Sequence, residues 1–388
     1  MRILMIQDSW GGGGAETIFR HWRRGLQVAG HEVAVLSRTP SPEVEFSFRS
    51  HSGRVELLLR LFNPWAFSAL RRALREFRPE VAHVGIFSFR LSPAIFALLR
   101  EIPTLYYAQL HELDCPTGKR WVNGSVCFSP AGNVCLQRCL SFPAWLALML
   151  QQRLQRSALG AVGHGAACSQ HLRDRLQSRG IRVDSVLRPG LPQPSRVSVE
   201  RRPQVACAAR LEPEKGVDVL LRAFARLRQH HPEAELLLAG EGSSQASLRA
   251  LAAQLELGDS VRWLGWLQGS ELQARFARAR FQVVPSLWEE PYGLVACEAA
   301  ALGLPALVSG LGGLREIVVP GETGLWVSPG SVSALAEAML RLWDSPPLAA
   351  EMGYKARLRA EQEFCLERSL RDLLSCYQRL ATMEKEPE

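Results

Sequence analysis

Short runs of Val, Leu and Ala alternate along the chain with longer stretches whose apolar residues recur at helical spacing. This alternation is typical of β–α units that assemble into parallel sheets. In the first half it predicts strands at Arg2–Gln7, Glu32–Leu36, Glu80–Val84, Thr104–Ala108 and Ala166–Cys168. Helices such as Ala15–Ala29 and Trp65–Phe77 are predicted between them.

A second array of the same kind follows a stretch with prolines at 189, 192, 194 and 203, which we interpret as an interdomain linker. Its strands are predicted at Gln204–Ala209, Glu235–Ala239, Val261–Leu264, Phe281–Val284 and Ala306–Val308. Its helices are predicted at Gly216–Gln229, Ser244–Leu255, Glu271–Ala277 and Gly293–Leu302. The C-terminal stretch, Leu335–Met383, predicts helices with one break, at Pro346–Pro347.

The pattern therefore predicts two α/β domains, over residues 1–190 and 191–362, followed by a last helix at 363–382. In open α/β sheets, ligands bind at the carboxyl ends of the strands. Two such domains facing each other would share a cleft lined by loops from both. Such a cleft suits a reaction between two substrates.

The composition is typical of a soluble globular protein, but its charge is uneven. Of the 388 residues, 47% are hydrophobic and 22% are charged. Residues 1–190 hold 24 Arg and Lys against 13 Asp and Glu, or +11, whereas the rest hold 22 against 25, or −3. The basic residues are not interleaved with aromatic ones as in nucleic-acid-binding motifs. A membrane surface or an anionic acceptor is therefore the favoured partner, and no nucleic acid is expected.

The N-terminus and the apolar runs predict a cytoplasmic protein. Met1 opens a short strand that runs into a glycine loop and lacks the features of a secretory signal. The longest apolar run, Pro143–Leu150, is about half the length of a bilayer span. Peripheral attachment to the inner face of the membrane stays open.

The loop and helix that end at Glu298 carry the strongest chemical signal. Glu290 is expected in a loop after a buried strand, just before a helix that opens at Gly293. The free amides of Gly293, Leu294 and Val295 would lie at the positive end of the helix dipole, where a phosphate binds well. Glu298, about one and a half turns into the helix, offers a second carboxylate. A solvated acidic loop is the alternative from these residues alone.

Arg210 and Lys215 are candidates for neutralising a diphosphate. Arg210 ends a predicted strand and Lys215 begins the next helix, so both can reach one site. Two cations there would stabilise a diphosphate leaving group without a metal, so no cofactor is predicted for catalysis. A surface pair that caps a helix is the alternative.

These motifs resemble those of the retaining glycosyltransferases of family 4, also called glycosyl transferases group 1. The resemblance rests on the Glu290-x7-Glu298 spacing and on the segments Ala209–Gly216, Gly312–Ile317 and Gly321–Gly324. It implies the GT-B fold, in which two Rossmann-like domains face each other across a cleft and the C-terminal helix crosses back to the N-terminal domain. It also implies that the second domain binds a nucleoside-diphosphate sugar, such as a UDP- or GDP-sugar, and that the first domain binds the acceptor.

The resemblance implies roles for individual residues. Glu290 would hold hydroxyls of the donor sugar, and Glu298 the ribose. Arg210, Lys215 and the amides near Gly293 would carry the charge of the diphosphate. The acceptor would attack from the face that the phosphate leaves, and the leaving phosphate would take its proton.

Gly12, Gly13 and His111 are candidates in the first domain. The glycine loop over residues 11–14 suits the close approach of a phosphate or a sugar, with a tight turn as the alternative. The loop lacks the third glycine of GxGxxG, which disfavours an NAD oxidoreductase. His111 follows a predicted strand, and in the family a histidine at the matching place lies near the donor sugar and the reacting centre.

Four cysteines lie close together in a segment rich in Gly, Pro and Asn: Cys115, Cys127, Cys135 and Cys139. Four thiolates can bind Zn²⁺ tetrahedrally, but these lack the Cys-x2-Cys spacing of a zinc knuckle. A structural zinc and four free thiols are both compatible with the sequence, and labile disulfides are the less favoured interpretation.

A stretch that is both basic and apolar, Arg54–Arg78, holds six arginines and two glutamates among leucines and aromatic residues. It fits a helix lying on a membrane, and it equally fits a core-packing helix with a basic outer face.

The sequence predicts transfer of a hexose from a nucleoside-diphosphate sugar to an acceptor hydroxyl, with retention at the anomeric carbon. The expected context is the synthesis of a polysaccharide, lipopolysaccharide or glycolipid, with an anionic or lipid-linked acceptor. The alternatives are a nucleotide-sugar epimerase of the same fold and a non-catalytic nucleotide-binding module. The epimerase needs acid–base residues that the Glu290–Glu298 arrangement does not supply.

Overall fold

The computed structural model of the chain describes residues 1–49, 54–160, 162–194 and 200–383. They form two compact units. Unit 1 comprises Met1–Val122, Cys127–Gly190 and the C-terminal residues from Leu366, and unit 2 comprises Asn123–Val126 and Leu191–Cys365. Part of the predicted linker, residues 195–199, lies outside the described residues.

Unit 1 is built on a parallel sheet. The strands up to residue 190 are β1 (Arg2–Gln7), β2 (Glu32–Ser37), β3 (Phe46–Ser47), β4 (Val81–Val84), β5 (Thr104–Ala108), β6 (Trp121–Val122), β7 (Ser125–Val126), β8 (His164–Ala167) and β9 (Ser185–Val186). The order in the sheet is β3-β2-β1-β4-β5-β8-β9, and β6 and β7 lie outside it. The direction of growth reverses between β1 and β4, which is the place where doubly wound sheets bind ligands.

Unit 2 repeats this architecture. Its strands are β10 (Gln204–Ala208), β11 (Glu235–Ala239), β12 (Val261–Gly265), β13 (Phe281–Val284), β14 (Ala306–Ser309) and β15 (Gly324–Val327). The order is β12-β11-β10-β13-β14-β15, with every neighbouring pair parallel. The reversal falls between β10 and β13, so the loops after these two strands are where a ligand site is expected.

Helices connect the strands of both sheets. Their bounds are α1 (Gly14–Val28), α2 (Arg54–Leu59), α3 (Pro64–Phe77), α4 (Asn133–Arg138), α5 (Phe142–Leu159), α6 (Gln170–Gln177), α7 (Val217–His230), α8 (Gln245–Gln254), α9 (Gly269–Phe276), α10 (Leu294–Ala301), α11 (Leu314–Ile317), α12 (Val332–Trp343), α13 (Pro346–Glu363) and α14 (Leu366–Met383). Short 3₁₀ turns lie at Pro93–Leu98, Pro213–Lys215 and Gly258–Ser260. The core of unit 2 is formed by the inner faces of its helices, chiefly α7 and α12, packed on the sheet.

The C-terminal helices are broken twice, so the prediction of a single break was wrong. Pro346 begins α13 at the predicted break, and a second break separates α13 from α14. There Cys365 forms a β-bridge with Leu191, whose amide donates to the carbonyl of Phe364 at 2.8 Å. This tertiary pairing ends α13 without any proline or glycine that the sequence could show.

The last helix, α14, belongs to unit 1, which is the crossing back that the sequence predicts. The indole Nε1 of Trp22 donates to Ser369 Oγ at 2.8 Å. The ring of His83 hydrogen-bonds the hydroxyl of the buried Tyr377 at 2.7 Å. Burial lowers the pKa of His83 to about 3, so this histidine is a neutral core residue.

Candidate functional site

The loops after β10 and β13 touch through their backbones. Gly216 follows the 3₁₀ turn after β10 with φ +64°, and a Cβ there would lie 2.2 Å from the carbonyl oxygen of Pro285. The amide of Leu287 donates to the carbonyl of Glu214 at 2.8 Å. Only glycine allows so close an approach with a positive φ, so residue 216 fixes the contact between these loops.

This contact brings Lys215 and Glu290 together in a buried ion pair. The Lys215 Nζ lies 2.6 Å from Glu290 Oε1, and the two side chains are only 13% and 11% exposed. Ser286 Oγ donates to the same carboxylate oxygen at 2.6 Å. The Lys215 ammonium also lies 4.8 Å from the ring centroid of Trp288. Sequence patterns had named Lys215 and Glu290 separately; their pairing, Ser286 and Trp288 were missed.

The ion pair keeps Glu290 ionised. Burial by itself would raise the pKa of this carboxyl. The Lys215 ammonium, with hydrogen bonds from Ser286 and Trp288, outweighs burial and holds the pKa of Glu290 below its ordinary value. At neutral pH the site therefore holds a carboxylate and an ammonium side by side.

Three further glycines hold the segment around Glu290 in place. The Gly313 amide donates to the Glu290 carbonyl at 2.8 Å. A Cβ at Gly312 would lie 2.5 Å from that same carbonyl oxygen. Gly293 has φ +106°, and a Cβ there would lie 2.4 Å from Leu314 Cδ2. The glycines of this region are thus required by close packing around the carboxylate loop.

The other predicted donor-site residues of unit 2 lie around this pair. Helix α10 begins at Leu294 with Gly293 as its N-cap, so the amides of Gly293, Leu294 and Val295 belong to the first turn, where helical geometry provides no intrahelical acceptor. Arg210 is more open: its side chain is 51% exposed, and its Nη2 lies 3.9 Å from Glu214 Oε1.

Glu298 differs from Glu290 in its protonation. It lies half-buried on α10. Burial raises the pKa of Glu298 to about 7. A ligand that donates hydrogen bonds to this carboxyl would favour its charged form.

We expect the affinity for a nucleotide sugar to fall as the pH drops through about 7. If Glu298 accepts hydrogen bonds from the ribose, binding must keep it deprotonated, and protonation competes with the ligand. The weakening is at most about tenfold per pH unit. Titration calorimetry on a nucleotide sugar, whose diphosphate diester has no group that titrates there, measures it. Glu298→Gln should remove the pH dependence, and the same slope in that variant would contradict the assignment.

In unit 1, Gly13 is the N-cap of α1, and Gly12 lies in the loop before it. A Cβ at Gly13 would lie 2.5 Å from Glu16 Oε2. Ser9 Oγ donates to Glu16 Oε1 at 2.6 Å. A carboxylate so close to the glycine loop disfavours a phosphate there and favours a group that donates hydrogen bonds, such as a sugar hydroxyl.

His111 lies in the turn after β5 and is fully buried. Its carbonyl oxygen accepts from the amides of Asp114 and Cys115 at 3.0 and 2.7 Å. Its ring faces that of His171 edge-on, with centroids 6.4 Å apart. The turn therefore fixes the backbone of His111 and its ring lies among packed side chains.

Two buried carboxyls near this turn were missed from the sequence. Asp8, directly after β1, accepts from the amides of Phe89, Arg90 and Leu91, and burial raises its pKa to about 6. Glu112 accepts from the Tyr106 hydroxyl at 3.1 Å, and burial raises its pKa to about 8. Asp8 directly follows β1 and Glu112 lies in the turn after β5, so their positions at the carboxyl ends of strands could have indicated them.

The four clustered cysteines are thiols, and none forms a disulfide. Cys135 and Cys139 lie one helical turn apart at α4, where burial, with smaller contributions from the nearby Cys115 and Cys127, raises the pKa of both thiols. Within the described residues, no three His, Cys, Asp or Glu side chains are arranged to hold a metal ion. The zinc site stays a prediction.

Comparison with known families covers both units. The family model described as Glycosyltransferase Family 4 matches residues 12–190, and that described as Glycosyl transferases group 1 matches residues 193–359. The chain belongs to glycosyltransferase family 4. The family predicted from its motifs is thereby confirmed.

Individual proteins similar to this chain support the same family and fold. The glycogen synthase of Mycobacterium tuberculosis is 29% identical over 94% of this chain and 91% of its own length. A GDP-mannose-dependent monoacylated alpha-(1-6)-phosphatidylinositol monomannoside mannosyltransferase of Corynebacterium glutamicum is 34% identical over 42% of this chain and 44% of its own. The structure of sucrose-phosphate synthase from Thermosynechococcus elongatus matches 99% of this chain and all of its own with a TM-score of 0.75 at 22% identity. The GT-B fold is therefore confirmed.

Proposed function

We propose that this glycosyltransferase moves a hexose from a nucleoside-diphosphate sugar, bound by unit 2, to an acceptor hydroxyl with retention of configuration. The observation that carries the proposal is the buried Lys215–Glu290 pair beside the first turn of α10. It places a cation, a carboxylate and helix N-terminal amides at the reversal point of a parallel sheet. The cation and the helix amides suit a diphosphate, and the carboxylate suits the hydroxyls of a sugar.

The pair explains how the site supports departure of the nucleotide. The Lys215 ammonium and the amides of Gly293, Leu294 and Val295 offset the charge that develops on the leaving phosphate. Glu290 stays ionised and accepts from sugar hydroxyls while positive charge develops on the ring. These groups are fixed before the reaction, so they need little reorganisation during it. The acceptor hydroxyl gives its proton to the departing phosphate oxygen.

We propose an anionic or lipid-linked acceptor, as in the synthesis of a polysaccharide, lipopolysaccharide or glycolipid. The support is the charge of residues 1–190, which is +11 from 24 basic and 13 acidic residues. The name of the mannosyltransferase of Corynebacterium glutamicum specifies a lipid acceptor, and that relative shares 34% identity over 171 residues. A basic surface attracts anionic headgroups and phosphates.

We expect sugar transfer to continue in excess chelator, because Lys215, Arg210 and helix amides take the place of a metal at the diphosphate. Transfer is measured as nucleoside diphosphate released, and proton NMR of the product should show the anomeric configuration of the donor. Loss of transfer that Mg²⁺ or Mn²⁺ restores would contradict metal independence. An inverted product would contradict retention.

A further inference from the structure

Helix α5 buries three glutamines beside Leu148 and Leu159, and it leaves a row of four large apolar side chains exposed. Its buried glutamines bond inward: Gln155 Nε2 donates to Ser88 Oγ at 2.7 Å, and Gln152 Nε2 to the Glu112 carbonyl at 3.4 Å. Its outer face carries large apolar residues at four-residue spacing, each between 42 and 61% exposed: Phe142, Leu146, Leu150 and Leu154. A helix of a globular protein normally turns its large apolar side chains toward the core, so this exposed row fits contact with another apolar surface.

Helix α2 packs against α5 and also carries exposed apolar residues. Val55 and Leu58 on α2, Phe62 just before α3 and Trp65 in the first turn of α3 are 39 to 67% exposed. We call these four residues and the four on α5 the α2–α5 surface. In unit 2, by contrast, the large exposed apolar side chains of the described residues are scattered over separate elements: Trp266, Trp326 and Tyr354.

The helices that carry or flank this surface are basic. Among the described side chains, helices α2 to α5 hold six arginines against two glutamates: Arg71, Arg72, Arg75, Arg138, Arg153 and Arg156 against Glu56 and Glu76. Glu56 is already paired, since it lies 3.3 Å from Arg60 and also contacts Arg90. The α5 segment itself has no acidic residue. Apolar side chains flanked by arginines complement an anionic interface.

The sequence of the basic stretch Arg54–Arg78 fitted either a helix on a membrane or a core-packing helix with a basic outer face. In the structure, a different helix of the stretch fits each interpretation. Helix α3 buries Ala66, Ala69, Leu70 and Ala73 and leaves Arg71, Arg72 and Arg75 exposed, as a core-packing helix does. Helix α2 buries Leu59 but exposes Val55 and Leu58. The candidate for surface attachment is therefore α2 with α5.

We propose that the α2–α5 surface docks unit 1 on an anionic lipid bilayer. A second copy of the chain fits the surface poorly, because symmetric pairing would bring the same arginine-rich helices together. Among the described residues, no helix is long and apolar enough to cross a bilayer, so the contact is interfacial. This deepens the proposed function, since a lipid-linked acceptor would be met at this interface, and it rests on that function only for the acceptor's identity.

The test measures vesicle binding by flotation with the full chain and without any donor, so it does not depend on turnover. Wild type should bind vesicles of phosphatidylcholine with phosphatidylglycerol and bind pure phosphatidylcholine much less. Leu146→Asp and Leu150→Asp should each lower partitioning about tenfold or more, because an apolar side chain no longer enters the interface. Thermal unfolding with and without a nucleotide sugar reports separately whether each variant is folded and whether the donor site works.

Val28→Asp is the matched control. Val28 is also in unit 1, is 90% exposed at the end of α1, and takes the same change of charge. The docking surface is supported if Val28→Asp binds anionic vesicles as the wild type does while Leu146→Asp loses that binding. Equal binding to neutral vesicles, equal loss in all three variants, or wild-type dimers that Leu146→Asp dissociates would overturn it.

Discussion

Glu290→Gln is expected to reduce turnover by about two to three orders of magnitude, the range for one preorganised electrostatic group. The amide keeps the size of the side chain and most of its hydrogen bonds but removes the charge that faces the sugar ring. Affinity for the nucleoside diphosphate should stay the same or rise slightly, because Lys215 no longer shares its charge with a carboxylate 2.6 Å away. Steady-state turnover and titration calorimetry separate the two effects.

Glu289→Gln is the control for this variant. Glu289 is the neighbouring residue and is equally buried, but it lacks the spacing to Glu298, and the 2.6 Å ion pair of Lys215 is made with Glu290. Its turnover should be close to that of the wild type. Near-normal turnover of a folded Glu290→Gln protein would show that the site is wrongly assigned.

Lys215→Met is expected to weaken nucleoside diphosphate binding about 10- to 100-fold, the value of a lost hydrogen bond to a charged group. Turnover should fall further, because the same ammonium stabilises the leaving phosphate. The substitution also leaves Glu290 buried without its cation, so burial would raise the pKa of Glu290. Loss of one partner from a buried pair destabilises a fold by about 3–5 kcal/mol, so thermal unfolding must accompany the kinetics.

Three variants separate binding from folding. The double variant Lys215→Met/Glu290→Gln removes both charges and should recover most of the stability while nucleotide binding stays weak. Lys215→Arg keeps the charge and should retain part of the affinity. Lys355→Met breaks an exposed pair with Glu351 at the same 2.6 Å distance, and it should change neither the nucleotide affinity nor the stability. Normal nucleotide affinity in a folded double variant would contradict a role for Lys215 at the diphosphate.

The fold could be predicted from the sequence because it depends on local patterns. Strands β1, β5, β11 and β13 are found at the predicted residues. Each is a short apolar run between stretches of helical spacing, which is the pattern of a buried parallel strand. Strand β8 lies at His164–Ala167, two residues before the predicted start. Lys215 and Glu290 could be singled out as candidates because each follows a strand and stands beside glycine or proline.

What the sequence did not show depends on contacts between distant segments. The Lys215–Glu290 pair joins residues 75 positions apart, and it requires Gly216 to touch Pro285. The second break in the C-terminal helices depends on the bridge between Leu191 and Cys365. Helix α5 was recognised only as an apolar run, because which face its glutamines take is decided by partners elsewhere in unit 1. Contacts between distant segments leave no periodic pattern in the sequence, so the sequence alone could not reveal them.

The most direct test of the central claim, that unit 2 holds a nucleoside-diphosphate sugar at Lys215, is thermal unfolding with a panel of UDP- and GDP-sugars. A ligand at 100 times its dissociation constant stabilises the native state by about 2.7 kcal/mol. We predict that one nucleotide class raises the unfolding midpoint of the wild type by several degrees. The folded double variant Lys215→Met/Glu290→Gln should show a much smaller rise. No stabilisation of the wild type by any nucleotide sugar, or equal stabilisation of both proteins, would contradict the claim.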